Sequence, residues 1–134
     1  MIDSRTRQLV VQRAVGRCEY CRLKQEHETA QSFHIEHIIA LQHRGESLLQ
    51  NLALSCGKCN AFKGPNLTSR DPDTGIVEML FHPRDQRWED HFTMDGPRIL
   101  GMTAIGRTTV WLLQMNAPRR VELRQILIQD GDWD

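Results

Sequence analysis

No stretch of this chain approaches the ~20 consecutive apolar residues that a helix needs to cross a bilayer, so a membrane-spanning protein is not expected. The opening residues, MIDSRTRQLVVQRAVGR, lack the uninterrupted apolar core and small-residue cleavage site of a secretion signal, because Gln12 and Arg13 break the run. The expectation is a cytoplasmic location, where thiols stay reduced. No internal repeat, low-complexity tract or clear linker is visible, and the 134 residues are read as a single domain. Net charge is missing too: 17 basic side chains balance 17 acidic ones, and the overall electrostatics do not announce a nucleic-acid binder. What remains, 40% hydrophobic and 25% charged, is an ordinary globular composition, neither disordered nor fibrous.

The balance conceals a polarity. Residues 1–25 set Arg5, Arg7, Arg13, Arg17, Arg22 and Lys24 against Asp3 and Glu19, a local charge of +4. Residues 71–95 set Arg84 and Arg87 against seven acids, a local charge of −5. Such a chain suits a protein that offers one face to a polyanion, and equally an unevenly solvated surface.

Cysteine is scarce and arranged. The only four are Cys18, Cys21, Cys56 and Cys59, in two C-x2-C pairs. Two intervening residues let both sulfurs of a pair turn onto one metal at about 2.3 Å, and four thiolates complete the tetrahedral set of a closed structural zinc. In a reducing compartment this pattern favours metal over disulfide, and one pair would suffice for a redox dithiol. A filled zinc site does no chemistry; its consequence is mechanical, because Asn60 follows Cys59 directly and is held where the metal holds the cysteine.

Local patterns outline an α+β chain. Residues 3–16 place Leu9, Val10, Ala14 and Val15 at helical spacing behind an Asp3 or Ser4 cap, with Gly16 as the stop. Residues 33–40 are rich in Phe and Ile and read as a strand, residues 42–50 as a loop bending at Gly45, residues 52–54 as a second short strand, and residues 57–63 as a short helix stopped by Gly64 and Pro65. Beyond Pro65 the chain predicts a turn at DPDTG, a strand over 76–82 and a hairpin of 91–94 with 98–103 through Asp95-Gly96-Pro97. Two helices follow, the first capped by Thr103 and the second by Asn116.

The chemistry concentrates in residues 33–60. Phosphodiester hydrolysis needs a base to take a proton from water and a metal to neutralise charge on phosphate. His37 suits the base, and Glu36 and Asn60 are hard oxygen donors of the kind Mg²⁺ or Mn²⁺ takes. A perfectly regular strand would turn Glu36 and His37 to opposite faces, so a bend or bulge at its end is needed to bring both to one phosphate. The same regularity leaves His34 on the face of Glu36, as a candidate extra ligand or a surface histidine. Asn51, before Leu-Ala-Leu, is suited to bonding loop backbone through its side chain and thereby orienting His37.

HIEHI, a glycine-bearing loop and QNLALSCGKCNAFKG, with CEYC upstream, together resemble the HNH endonucleases, specifically the branch with four zinc-binding cysteines. The resemblance covers residues 18–64, and DPDTG, FHPRDQRW and GMTAIGRTTV look like the C-terminal extension, here residues 65–134, common in bacterial members. It implies a zinc-stapled ββα-metal core, with the N-terminal helix before it and a strand, hairpin and helix pair after it. It further implies His37 as general base, Glu36 and Asn60 as ligands of a Mg²⁺- or Mn²⁺-type ion, Asn51 as the asparagine that steadies the loop, and 5′-phosphate and 3′-hydroxyl products. Glu36 stands where the family often has Asp, Asn60 where it often has His, and His43-Arg44-Gly45 where many members have two glycines. The expected partner is double-stranded DNA, with Lys58, Lys63 and Arg44 as phosphate contacts that position without reading sequence; the plainer reading of each is a solvated cation. No feature reports a dimer surface. A catalytically silent adaptor on the same fold is the competing expectation.

Overall fold

A computed structural model of the chain describes residues 2–134, and it bears out the α+β class: five helices and three antiparallel strand pairs among those residues. The first helix, α1 (Ser4–Arg13), starts where Asp3 accepts a hydrogen bond from the Thr6 amide at 2.7 Å, an N-cap that satisfies one of the free amides of the first turn. Of its expected apolar face only Val10 is fully buried; Ala14 is half-buried, and Leu9 and Val15 are exposed. The helix is instead tied down by its last residue, Arg13, whose guanidinium donates to the Leu49 and Leu52 carbonyls at 2.9 and 2.7 Å. That arginine crosses to the next elements and is not part of a free basic patch.

Strand β1 (His34–His37) pairs antiparallel with β2 (Leu52–Ser55) in the register His34 to Ser55 through His37 to Leu52, and helix α2 (Gly57–Lys63) follows at once. The expected strand over 33–40 is shortened at its C-terminal end for a definite reason. Beyond Ile38, whose amide still bonds the Asn51 carbonyl, the polar groups of Ile39 are taken by the Asn51 side chain instead of by a strand partner. The chain then turns through Arg44, in the left-handed region at φ 67°, into Gly45. A Cβ on Gly45 would lie 1.7 Å from the Ile39 carbonyl oxygen, so only glycine lets the loop close this tightly.

The chain divides into two compact units, Met1–Leu67 with His82–Arg87, and Thr68–Phe81 with Trp88–Asp134. In the first, Val10, Tyr20, Phe33, Ile38, Leu52 and Leu54 are buried with the four cysteines. No helix among the described residues is long and apolar enough to cross a membrane.

The second unit holds β3 (Thr68–Arg70) paired with β4 (Val77–Met79), the short helix α3 (Trp88–His91), the hairpin β5 (Phe92–Asp95) and β6 (Arg98–Gly101), and helices α4 (Ala104–Leu112) and α5 (Pro118–Gln129). The hairpin closes through Gly96-Pro97, with Gly96 at φ 57° supplying the positive φ that such turns need first. Thr103 caps α4 as expected, accepting from the Gly106 amide at 3.0 Å. Asn116 does not cap α5: its side chain bonds both the amide and the carbonyl of Ile99, at 2.9 and 2.8 Å. The helix begins at Pro118 instead, whose missing N–H and preset φ suit a first turn. Trp88 stacks on Phe92 with ring centroids 5.1 Å apart, and Phe92 meets Phe81 edge-on at 5.2 Å, so Phe81 and Phe92 are core and the half-buried Trp88 packs onto them. Strand β3 and helix α3 carry no sequence pattern that announces them.

Gly106 sits inside α4, where Ala is normally preferred by about 1 kcal/mol. A Cβ there would lie 2.1 Å from the His91 carbonyl oxygen. Gly106→Ala is therefore expected to lower stability in denaturant unfolding by about 1–3 kcal/mol through overpacking; an unchanged or raised midpoint would contradict the tight packing of α4 on the end of α3.

Candidate functional site

The knuckle carrying Cys18 and Cys21 is closed by the Cys18 amide bonding the Leu23 carbonyl at 2.8 Å and the Arg22 amide bonding the Cys18 carbonyl at 2.9 Å. Cys56 is the N-cap of α2, its sulfur 3.4 Å from the Cys59 amide, and the Cys21 amide lies 3.5 Å from the Cys18 sulfur in the same way. All four sulfurs lie within 4.8 Å of one another, and those of Cys21 and Cys56 are 3.7 Å apart. Four sulfurs on a tetrahedron about 2.3 Å from its centre would be separated by about 3.8 Å, so the cluster has the dimensions of a zinc site. All four residues are buried, and burial pushes the Cys18 and Cys59 thiols well above their ordinary range. A bound cation offsets that penalty, and the donor set is that of a closed structural metal site.

Two residues between the first pair of cysteines extend the cluster outward. The amide of Glu19 donates to the Leu54 carbonyl and its carboxylate accepts from the Leu54 amide, both at 2.8 Å, so the knuckle lies along β2 as an added rung. Arg84 pairs with the same carboxylate and ties residues 82–87 to it. Tyr20 is fully buried and its hydroxyl donates to Glu36 Oε1 at 2.6 Å.

Glu36 is only 5% exposed, and Lys63, at the end of α2, is 2% exposed. Lys63 Nζ stands 3.4 Å from Glu36 Oε2 and donates to the Ile38 carbonyl at 2.9 Å. Burial raises the pKa of Glu36, opposed by the Lys63 charge and the Tyr20 hydrogen bond, which favour the ionised form. Lys63 thus does not offer its ammonium to solvent as a phosphate contact would require. Lys58 and Arg44, the other cations named for that role, are exposed.

His37 is half-buried, with Nε2 2.8 Å from Ser47 Oγ. The pairing of β1 with β2 runs without a bulge, so successive side chains alternate and Glu36 and His37 leave the strand on opposite faces. Burial lowers the pKa of His37 and keeps the ring neutral at pH 7. The loop that carries Ser47 is held by Asn51, whose amide oxygen accepts from the Ile39 amide at 2.9 Å while Nδ2 donates to the Ile39 and Glu46 carbonyls at 3.0 and 2.9 Å.

Asn60 is half-buried on α2, one residue after Cys59 and one turn before Lys63, so it shares a helix face with the residue that touches Glu36. Its side chain takes no hydrogen bond among the described residues, and Glu36 Oε2, although buried, receives none either. These two oxygen donors fit a hard divalent ion in kind. His34 shares the Glu36 face of β1 but is exposed, and its side chain takes no hydrogen bond among the described residues.

Sequence reasoning missed Tyr20, Ser47 and the inward turn of Lys63. Tyr20 carried a signal, because a residue inside a C-x2-C knuckle is held by the metal. Lys63 carried a weaker one in its spacing of three from Asn60. Ser47 carried none, since it lies ten positions from His37, beyond the turn at Arg44 and Gly45.

The family model described as HNH endonuclease matches residues 18–66. No curated protein and no solved structure matches the chain. Because metal binding by such clusters is folding free energy, Cys56→Ser is expected to lose its zinc on dialysis and to unfold at lower temperature, read by metal analysis and circular dichroism; a variant that keeps one zinc per chain and melts like the parent would refute the four-thiolate site. The matched segment, residues 18–66, spans all four cysteines, and the cluster of zinc-site dimensions that they form fits the four-cysteine zinc-binding branch of the HNH endonuclease family.

Proposed function

We propose that the chain is a divalent-metal-dependent endonuclease that hydrolyses phosphodiester bonds of double-stranded DNA, with residues 18–64 as its core and 65–134 as an extension of the same domain. His37 is the general base. The observation that carries this reading is the setting of His37: half-buried, held neutral by that burial, and fastened through Ser47 to a loop that Asn51 clamps. A neutral imidazole of fixed orientation is what abstraction of a proton from water requires. In the tautomer whose Nε2–H donates to Ser47 Oγ, Nδ1 is the nitrogen left to accept the proton of water.

Glu36 and Asn60 would hold the Mg²⁺- or Mn²⁺-type ion, which when bound neutralises charge on the phosphate and the departing oxygen. Hydrolysis then leaves a 5′-phosphate and a 3′-hydroxyl. Lys58 and Arg44, both exposed, would contact backbone phosphates. The structural zinc serves by holding α2, and with it Asn60, against the knuckle.

A second reading, a silent zinc-stapled nucleic-acid-binding or adaptor module, is favoured by the engagement of Glu36 with Tyr20 and Lys63 and by the opposed faces of Glu36 and His37. Plasmid nicking separates the two. With Mg²⁺ or Mn²⁺ the parent protein is expected to nick, and His37→Ala to lose at least about a hundredfold in rate, the usual worth of general-base catalysis, while keeping its zinc and its melt. Since burial depresses the His37 pKa, the acid limb of the nicking rate is expected below the ordinary histidine value of about 6.5. Equal nicking by parent and variant would remove His37 from the mechanism, and no nicking by either would leave the binding module as the function.

A further inference from the structure

The buried cation beside Glu36 has no assigned role in the chemistry above. Lys63 is the last residue of α2, its ammonium lies almost wholly inside the protein, and its two close partners are the Ile38 carbonyl and Glu36 Oε2. The other carboxylate oxygen is closed off by the Tyr20 hydroxyl. Both oxygens of Glu36 therefore face protein groups, and the one that receives no hydrogen bond faces a positive charge 3.4 Å away. A second cation cannot approach that oxygen while the ammonium stays, because two positive charges at such range in a buried site repel strongly.

We infer that Lys63 is an internal cation that stands in for the divalent ion at Glu36, and that the ion binds only by displacing it. This rests on the assignment of Glu36 as an ion ligand. The geometry supplies the rest. Lys63 reaches Glu36 from the helix that carries Asn60, one turn after it, so the ammonium and the second donor named for the ion belong to the same short element. Its stem is flexible and its competitor, the Ile38 carbonyl, is a neutral acceptor, so the ammonium can leave without breaking the strand pairing of β1. Without an ion, the pair keeps a carboxylate from being buried alone, which is strongly unfavourable. With one, the freed ammonium is released toward solvent beside the site, where a phosphate of bound DNA is its natural partner. The device couples the two ligands: DNA that draws Lys63 outward favours ion binding, and the ion that expels Lys63 favours DNA.

The test is Mn²⁺ binding to the zinc-loaded full chain without DNA, measured by calorimetry for the parent, Lys63→Met and the double variant Glu36→Gln/Lys63→Met. Methionine keeps the apolar stem and removes the charge. Lys63→Met is expected to bind Mn²⁺ about ten- to a hundredfold more tightly than the parent, the range over which neighbours of ligands tune metal affinity, and the double variant is expected to lose that gain. Affinity in Lys63→Met equal to or weaker than that of the parent would overturn the inference, as would absence of binding to both.

Should Lys63→Met fail to fold, the parent protein decides alone. The Lys63 ammonium resonance, protected by burial, is expected to vanish from nitrogen-detected NMR spectra during Mg²⁺ titration, and its persistence at saturating Mg²⁺ would overturn the inference. Failure here is separable from failure of the nuclease reading. Nicking that depends on His37 with unchanged Mn²⁺ affinity in Lys63→Met would sink only the inference, whereas tighter Mn²⁺ binding without nicking would sink only the nuclease.

Discussion

The four buried thiols are the constraint on which the first unit depends. They join residues 18–21 to residues 56–59 across more than thirty intervening positions, and nearly everything of chemical interest hangs between those anchors. A unit this small buries few large apolar side chains, and its four sulfurs are placed where a bound metal would couple its own binding to folding. The cluster also reaches beyond itself. Glu19 lays the knuckle along β2, Arg84 secures residues 82–87 to Glu19, and Tyr20 carries the rigidity of the knuckle to Glu36.

From that anchor two separate supports run to the two faces of β1. On one face, Tyr20 and Lys63 hold Glu36 in a dry setting where its charge is balanced within the protein. On the other, Asn51 replaces strand pairing at Ile39, closes the loop over Gly45 and so presents Ser47 to His37. Carboxylate and imidazole, adjacent in sequence, are thus supported independently and in different dielectric surroundings. Burial acts on them in opposite senses: it raises the pKa of the carboxylate and lowers that of the imidazole, because in each case it disfavours the charged form. The bend or bulge expected near residues 36–37 is not found within the β1–β2 ladder, whose register is regular from His34 to His37.

Much of the fold was legible because it is written in local chemistry. Helix α2 has its predicted bounds since Cys56 caps it and Gly64 ends it; Thr103 caps α4; the Gly96-Pro97 turn closes its hairpin. Where the reading failed, a distant residue had intervened. Asn116 looks like a helix cap until β6 claims its side chain, and the strand ending at Ile38 looks longer until Asn51 takes over its polar groups. Lys63 looks like a surface cation for the same reason: nothing in the run Asn-Ala-Phe-Lys-Gly reveals that Glu36 lies opposite.

The sequence by itself determined the metal cluster, the strand, loop, strand and helix order between its halves, and the residue types gathered there, since these depend on spacing and on local turn and cap chemistry. Only the tertiary structure decided which of those residues face one another. It turned Lys63 inward onto Glu36, placed Ser47 against His37 and sent Glu36 and His37 to opposite sides of one strand. The physical reason is that a charge's partner and its exposure to water are set by what packs against it, and in this domain those neighbours come from elements ten to twenty-seven positions away in the chain.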